Sequence, residues 1–325
     1  MTAELATPTL TGPPTLTLTD GERAEVSRVL DEVNWPEDSD RAELLSRRLP
    51  GRVQEFLLDF RRSEPAGACV VRGGPVGDVG PTPLRWQDAA AAGTARREEA
   101  YLALLGAVLG DLFAFRALQG GRLVQDLLPT PGQEQTKSGN SSASTLDLHT
   151  EDAFHPYRCD YLGLLCLRND DRIPTGYAEL RADLLPEPHR RVLAEPRFVV
   201  RPDDTHLVGG GTPAWLVDER VPLLFGGPDT PYLRFDDFFA EPLPGDRDAA
   251  AAIAALAAAL GAAEQDALLS PGDVLFVDNY RAVHGRRPFA ARYDGTDRWL
   301  KRISVSRDLR RSREARSGVG SRVVG

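Results

Sequence analysis

The chain is poor in the residues that staple small folds. It has three cysteines, Cys69, Cys159 and Cys166, in 325 residues. The number is odd and none belongs to a Cys-x-x-Cys pair, so neither a disulfide framework nor a zinc knuckle is indicated. Long apolar runs are missing too: nothing approaches the ~18 consecutive residues of a membrane span. The opening stretch MTAELATPTLTGPPTLTLTD has neither the basic region nor the apolar core of a secretion signal. Positive charge is in deficit, with 39 Lys and Arg against 48 Asp and Glu, a net of −9. That balance argues against nucleic acid or an anionic membrane as the main partner, and it suits a small cationic ligand. A reducing cytoplasm is the expected location. Histidine is scarce: His149, His155, His189, His206 and His284 are the whole set of five.

What is present is ordinary for a globular protein, 42% hydrophobic and 27% charged residues. Residues 1–18, rich in Thr and Pro, read as a mobile lead-in, and the basic, Gly/Ser-rich stretch 310–325 as a disordered tail. Between them, 19–309 is expected to form one folded unit. Thr19 with Glu22 makes a capping box for a helix from Asp20 to Asn34. In GRVQEFLLDFRR (51–62), Val53, Phe56, Leu57 and Phe60 fall on one helical face. REEAYLALLGAVLGDLF (97–113) reads as an apolar helix buried beneath a sheet. After Gly120, short β-prone runs alternate with Pro, Gly and Asp: YLGLLCLRN, RFVVRP, THLVGG, VPLLFGG, DVLFVDN and WLKRISVS. This pattern predicts a sandwich or barrel rather than repeated βαβ units. The alanine-rich segment 248–268 is expected as a helix on the barrel exterior. No internal repeat is evident.

In LDLHTEDAFHP (146–156), His149 and Glu151 are two apart, which places both on one face at a strand end. Such a pair can supply two ligands to one ion, although the spacing also arises by chance. A third ligand is offered by SPGDVLFVDNYRAVHGRRPF (270–289), where a turn and a buried strand precede His284 in a loop. Two histidines and a carboxylate form the facial triad of non-haem iron enzymes, but zinc accepts the same set. Downstream, Arg298 and Arg302 are four apart and share one face of a strand. Guanidiniums aimed into a barrel call for carboxylates, which arginine binds bidentately; the alternative is a solvated face or internal ion pairs. An iron site beside two carboxylate clamps points to a keto-acid cosubstrate and an amino-acid substrate.

LHTEDAFHP together with GDVLFVDNYRAVHGRRPFAARYDGTDRWLKR resembles the clavaminate synthase-like group of Fe(II)/2-oxoglutarate oxygenases, most of all the hydroxylases of free L-arginine, L-lysine and L-asparagine in antibiotic biosynthesis. QGGR (119–122) and the helical N-terminal third also fit. The resemblance implies a mainly β fold with surrounding helices, built on a double-stranded β-helix or jelly roll. It implies Fe(II) held by His149, Glu151 and His284, with 2-oxoglutarate and O2 as cosubstrates. Arg298 would bind the distal carboxylate of 2-oxoglutarate, helped by Thr175. Arg302 would clamp the substrate α-carboxylate, with Gln119 beside it, and the free oxygen of Glu151 would receive the α-amino group. The implied reaction is hydroxylation, at C3, of a free cationic amino acid; a desaturase on the same substrate class and a non-redox, metal-dependent enzyme are the other readings. The oligomeric state is not legible.

For the substrate side chain, PYLRFDDFFAEP (231–242) offers Asp236 and Asp237. Arginine-hydroxylating relatives carry an alternating acidic pair there; here the acids are adjacent and Phe238 takes the second alternating place. Only one of the two acids is expected to face the site, and Asp236 is the candidate. His155 is expected to be a structural hydrogen-bonder, and His189 and His206 to lie on the surface. SGNSSAST (138–145) reads as a flexible loop placed to act as a lid.

Overall fold

The computed structural model describes residues 12–203, 205–206 and 219–325. The first third is mostly helical: β1 (Thr15–Thr17), α1 (Asp20–Leu30), α2 (Ala42–Ser46), α3 (Gly51–Ser63), β2 (Ala68–Arg72), α4 (Trp86–Ala92) and α5 (Arg96–Leu109). Strands then dominate, with β3 (Asp111–Phe115), β4 (Gln125–Leu127), β5 (Leu146–His149), β6 (Tyr161–Arg168) and β7 (Thr175–Glu179). After α6 (Glu187–Leu193) come β8 (Phe198–Val200), β9 (Leu224–Gly226), β10 (Pro231–Leu233) and β11 (Ala240–Pro242). The chain ends with α7 (Arg247–Ala262), β12 (Gln265–Ala267), β13 (Val274–Asp278), β14 (Ala282–Arg286), β15 (Trp299–Ser306) and β16 (Val323–Val324).

Two sheets carry the architecture. The larger has the order β1-β2-β13-β6-β15-β3-β16, with β4 paired to β15, and the smaller the order β12-β7-β14-β5. One core cluster draws on both, joining Val70, Leu164, Leu275 and Leu300 of the larger sheet to Tyr177, Ala267 and Ala282 of the smaller. The period-2 alternation of a strand sends the intervening residues the other way. On β6, Tyr161, Leu165 and Leu167 join the helical cluster, as do Trp299, Ile303 and Val305 on β15. That cluster is filled by α1, α3 and α5, the last buried along nearly its whole length. A third cluster packs Ala249, Ala252, Leu256 and Leu260 of α7 against Ala178 of β7 and Val283 of β14. The alanine-rich helix thus covers the outer face of the smaller sheet.

Several local expectations hold. Thr19 and Glu22 form the reciprocal capping box of α1, with Glu22 N–H on Thr19 Oγ1 at 3.2 Å and Thr19 N–H on Glu22 Oε2 at 2.8 Å. Others change. Thr15–Thr17 is a strand parallel to β2, so the expected lead-in is partly structured; residues 1–11 lie outside the described residues. The tail is ordered as well: Leu309–Ala315 forms a 3-10 turn, and β16 lies parallel to β3, an edge that its backbone groups can pair with. The apolar run 97–113 is two elements, because α5 ends at Leu109 and the chain reverses at Gly110. A Cβ there would lie 2.3 Å from the Ser306 carbonyl oxygen, so only glycine permits the close approach that lets β3 start on β15. The α7 helix stops at Ala262, and Gln265–Ala267 becomes a strand on β7. Most of THLVGG lies outside the described residues.

Candidate active site

The pairing of β5 with β14 sets the centre. His149 stands directly opposite His284 in the antiparallel register, and their ring centroids are 4.3 Å apart. His284 is therefore a strand residue rather than a loop residue. Its parity with Ala282 aims it between the sheets, while Val283 faces α7. Glu151 lies two residues beyond β5, in a turn. Its backbone is fixed there by Asn279, fully buried at the end of β13. Asn279 Oδ1 accepts from Glu151 N–H at 2.6 Å, and its amide donates to the Glu151 and Cys159 carbonyls at 3.0 Å. The ligand atoms of His149, Glu151 and His284 fall within 4.8 Å of one another, the one such group among the described residues. Glu151 Oε2 is 3.3 Å from His284 Nε2 and 3.8 Å from His149 Nε2.

The electrostatics suit a divalent cation. Burial works against the Glu151 carboxylate, but the Arg302 charge and hydrogen bonds from both histidines outweigh it and hold its pKa well below the usual range. Burial and the neighbouring His149 push His284 down to about 4, which keeps that ring neutral as a ligand must be. For His149, burial is overcome by the Glu151 hydrogen bond and the charges of Asp236 and Glu151, and its pKa rises to about 9. The position thus favours positive charge, whether a proton or a metal ion. His149 Nδ1 meets the Asp147 carbonyl at 2.8 Å, which orients the ring and turns Nε2 toward Glu151.

A cavity of about 550 Å³ opens onto this cluster, and all eight residues singled out in the sequence line it. Its size is that of a small-molecule site. At one end Arg298, 8% exposed, donates from Nη2 to Thr175 Oγ1 at 2.8 Å; Thr175 is the first residue of β7, and Arg298 immediately precedes β15. Burial pushes the Arg298 guanidinium down to about 10, still charged at neutral pH. At the other end Arg302 bonds Glu151 Oε1 at 2.5 Å and Gln125 Oε1 at 2.5 and 3.1 Å. Each oxygen of Glu151 thus has its own direction, Oε2 toward the histidines and Oε1 toward Arg302.

Gln119 is placed differently from the sequence expectation. Its amide is taken up by the Asp126 backbone, donating to the carbonyl at 2.7 Å and accepting from N–H at 3.0 Å. The glutamine that touches Arg302 is Gln125, on β4 beside β15. Asp236 is half-buried in the cavity wall, and its Oδ1 accepts from Phe238 and Phe239 N–H at 2.9 Å. Asp237 is exposed, as is Phe238 at the rim, where Lys137 Nζ sits 4.9 Å from its ring centre. His206 is not a surface residue: its Nε2 lies 2.9 Å from Asp152 Oδ1, with both side chains 5% exposed. The loop 138–145 is pinned rather than free. Ser141 and Ser142 are buried, and Ser142 O accepts from Phe289 N–H at 2.8 Å.

Asn279, Gln125 and Arg286 are the site residues that sequence reasoning passed over. Arg286 had the clearest signal, two residues after His284 on the same strand face. Asn279 is a polar residue closing the apolar run VLFVD. Asn279→Ala removes three hydrogen bonds from buried backbone groups, so iron affinity is expected to fall about tenfold, as for loss of an outer ligand support. Titration of apoprotein with Fe(II) reads this; unchanged affinity would show that the turn holds Glu151 without it.

This architecture is that of a non-haem iron dioxygenase. Over residues 177–304 the sequence matches the taurine catabolism dioxygenase TauD, TfdA family, and the chain belongs to it as an Fe(II)- and 2-oxoglutarate-dependent enzyme. It is 38% identical over 322 residues to the enduracididine beta-hydroxylase of Streptomyces hygroscopicus, covering 92% of this chain and 94% of that one. It is 37% identical over 303 residues to the L-ornithine/L-arginine 3-hydroxylase of Catenulispora acidiphila, covering 86% and 88%. The crystal structure of the non-haem iron oxygenase OrfP with Fe, succinate and (3S)-hydroxy-L-Arg superposes with a TM-score of 0.90 at 40% identity, covering 96% of this chain and 100% of that one.

Proposed function

We propose that the protein hydroxylates an unactivated carbon, C3, of a free cationic L-amino acid (arginine, lysine or a close analogue) in specialised metabolism. The observation that carries this reading is the Arg302–Glu151 pair in the cavity wall. A guanidinium and a carboxylate oxygen side by side are the complement of an amino acid's carboxylate and ammonium groups. The α-carboxylate takes Arg302, with Gln125 steadying the guanidinium, and the ammonium takes Glu151 Oε1. Oε2 stays with His149 and His284 as the third iron ligand. Arg298 and Thr175 hold the distal carboxylate of 2-oxoglutarate. When bound, iron and 2-oxoglutarate activate O2, yielding succinate and CO2 and placing one oxygen on the substrate. Asp236 lines the cavity on the His149 side and offers the side-chain cation a carboxylate. Gln119 supports the clamp through Asp126, next to Gln125, rather than by touching substrate.

The two-sheet arrangement is read as a jelly roll within a single domain that extends past the expected 19–309 to take in β1 and β16, with α7 as an insertion and the enzyme resident in the cytoplasm. No described helix is long and apolar enough to cross a membrane.

The test is succinate formation from 2-oxoglutarate with Fe(II) under air, screened across free L-amino acids with product mass followed in parallel. Arginine, lysine or an analogue is expected to stimulate succinate and to gain one oxygen. Loss of two hydrogens instead would make the enzyme a desaturase. Stimulation by no free amino acid would overturn the assignment of Arg302 to a free α-carboxylate.

A further inference from the structure

The strand that carries His284 brings a second cation to the cavity. Arg286 is 4% exposed and lines the same space as Arg298 and Thr175. Its guanidinium donates to Ser141 Oγ at 2.9 Å and, at 3.4 Å, to the carbonyls of Ser142 and Arg287. The Phe289 ring centre lies 4.8 Å from its guanidinium carbon. Among the described residues neither Arg286 nor Arg298 meets a carboxylate, and the Nε of Arg298 is buried without a hydrogen-bond partner. Two other buried arginines, Arg158 and Arg234, are settled on aromatic rings and carbonyls and do not line this space. Arg286 and Arg298 differ in lining one ligand cavity together, where an anion entering between or beside them would offset the cost of two desolvated like charges.

We propose that Arg286 is a second cosubstrate-binding guanidinium. With Arg298 and Thr175 it holds the distal carboxylate of 2-oxoglutarate, and through Ser141 and Ser142 it ties that anion to the 138–145 loop. The proposal rests on the assignment of Arg298 and Thr175 to the same end of the keto acid. The connection runs through named atoms: the anion neutralises Arg286, Arg286 holds Ser141, and Ser138, Gly139 and Asn140 of the same loop form cavity wall. Cosubstrate binding thereby firms the wall that the amino acid meets.

The test is equilibrium binding to the anaerobic Fe(II) enzyme by calorimetry, with two keto acids. 2-Oxoglutarate carries the distal carboxylate; 2-oxobutanoate has the same chelating head and lacks it. Arg286→Met is expected to weaken 2-oxoglutarate by about tenfold or more, the loss of one charge-assisted contact, and to leave 2-oxobutanoate within about twofold. Arg286→Lys keeps the charge and is expected to retain most of the preference for the dicarboxylate. The ratio of the two affinities is the readout, so general damage to the loop, which weakens both, does not imitate it. Equal weakening of both keto acids, or no weakening of either, overturns the proposal. Arg298→Met is measured alongside: an unchanged ratio in that variant with a reduced ratio in Arg286→Met would overturn the Arg298 assignment and leave that of Arg286 standing.

Discussion

Replacing His284 by alanine abolishes iron-dependent succinate formation and strips the protein of tightly bound Fe(II). The centre has three ligands, and one of them is lost outright. Removing an outer support of a metal site costs roughly 10- to 100-fold in affinity, so loss of a ligand exceeds about 100-fold. The effect is local: His284 lies inside β14, between Val283 and Gly285, and its Nδ1 has no hydrogen-bond partner among the described residues. Iron content after gel filtration, with succinate production under air, provides the measurement. Persistent turnover in the variant would mean that the triad is not the reacting centre. Full activity on zinc, indifferent to O2, would mean that the site does non-redox chemistry.

Replacing Arg302 by methionine raises the substrate KM steeply while 2-oxoglutarate binding stays close to that of the parent. Truncating one partner of a buried charged pair costs about 2–5 kcal/mol, or roughly 30- to several-thousand-fold in an equilibrium constant. Arg302 contacts Glu151 and Gln125 and lies four residues from Arg298, at the opposite end of the cavity. The two ends should therefore separate kinetically. A second signature follows from Glu151. Burial raises its pKa, and Arg302 is the largest influence that lowers it. Without that charge the carboxyl protonates at higher pH, so iron binding, which needs the carboxylate, is lost earlier as pH falls. A variant with unchanged KM and an unshifted acid limb would show that Arg302 only braces the strand.

Much of the centre was legible because its chemistry is carried by rare residues in short blocks. With five histidines in the chain, His149 and His284 stood out, and the i, i+2 relation to Glu151 identified a shared side. What local sequence did not carry was the partner each side chain finds across the fold. Gln119 and Gln125 both lie near the clamp, and the choice between them depends on β4 lying beside β15. His206 looked like a polar loop residue because its partner, Asp152, is distant in sequence and close in space. The same holds for Ser141 and Ser142, whose small polar side chains suggest a free loop until Arg286 is placed against them. Element ends failed where composition was continuous across a change of geometry, as at Gly110 and after Ala262. Helix propensity does not register that Gly110 backs onto Ser306.

The outer face of β15 is as polar as its inner one at a single place. Lys301, 1% exposed, meets Glu99 Oε1 of α5 at 2.8 Å and Asp126 Oδ1 of β4 at 2.6 Å, and Asp126 also accepts from Trp299 Nε1 at 2.8 Å. The strand that presents Arg302 to the cavity is thus bolted from behind to the helical third. Peeling that third away would take Glu99 with it and uncover Lys301 and Asp126, both buried in the intact protein, a loss that no solvent-exposed trimming incurs. Attempts to shorten the enzyme to its β-rich half will therefore yield insoluble or inactive chains.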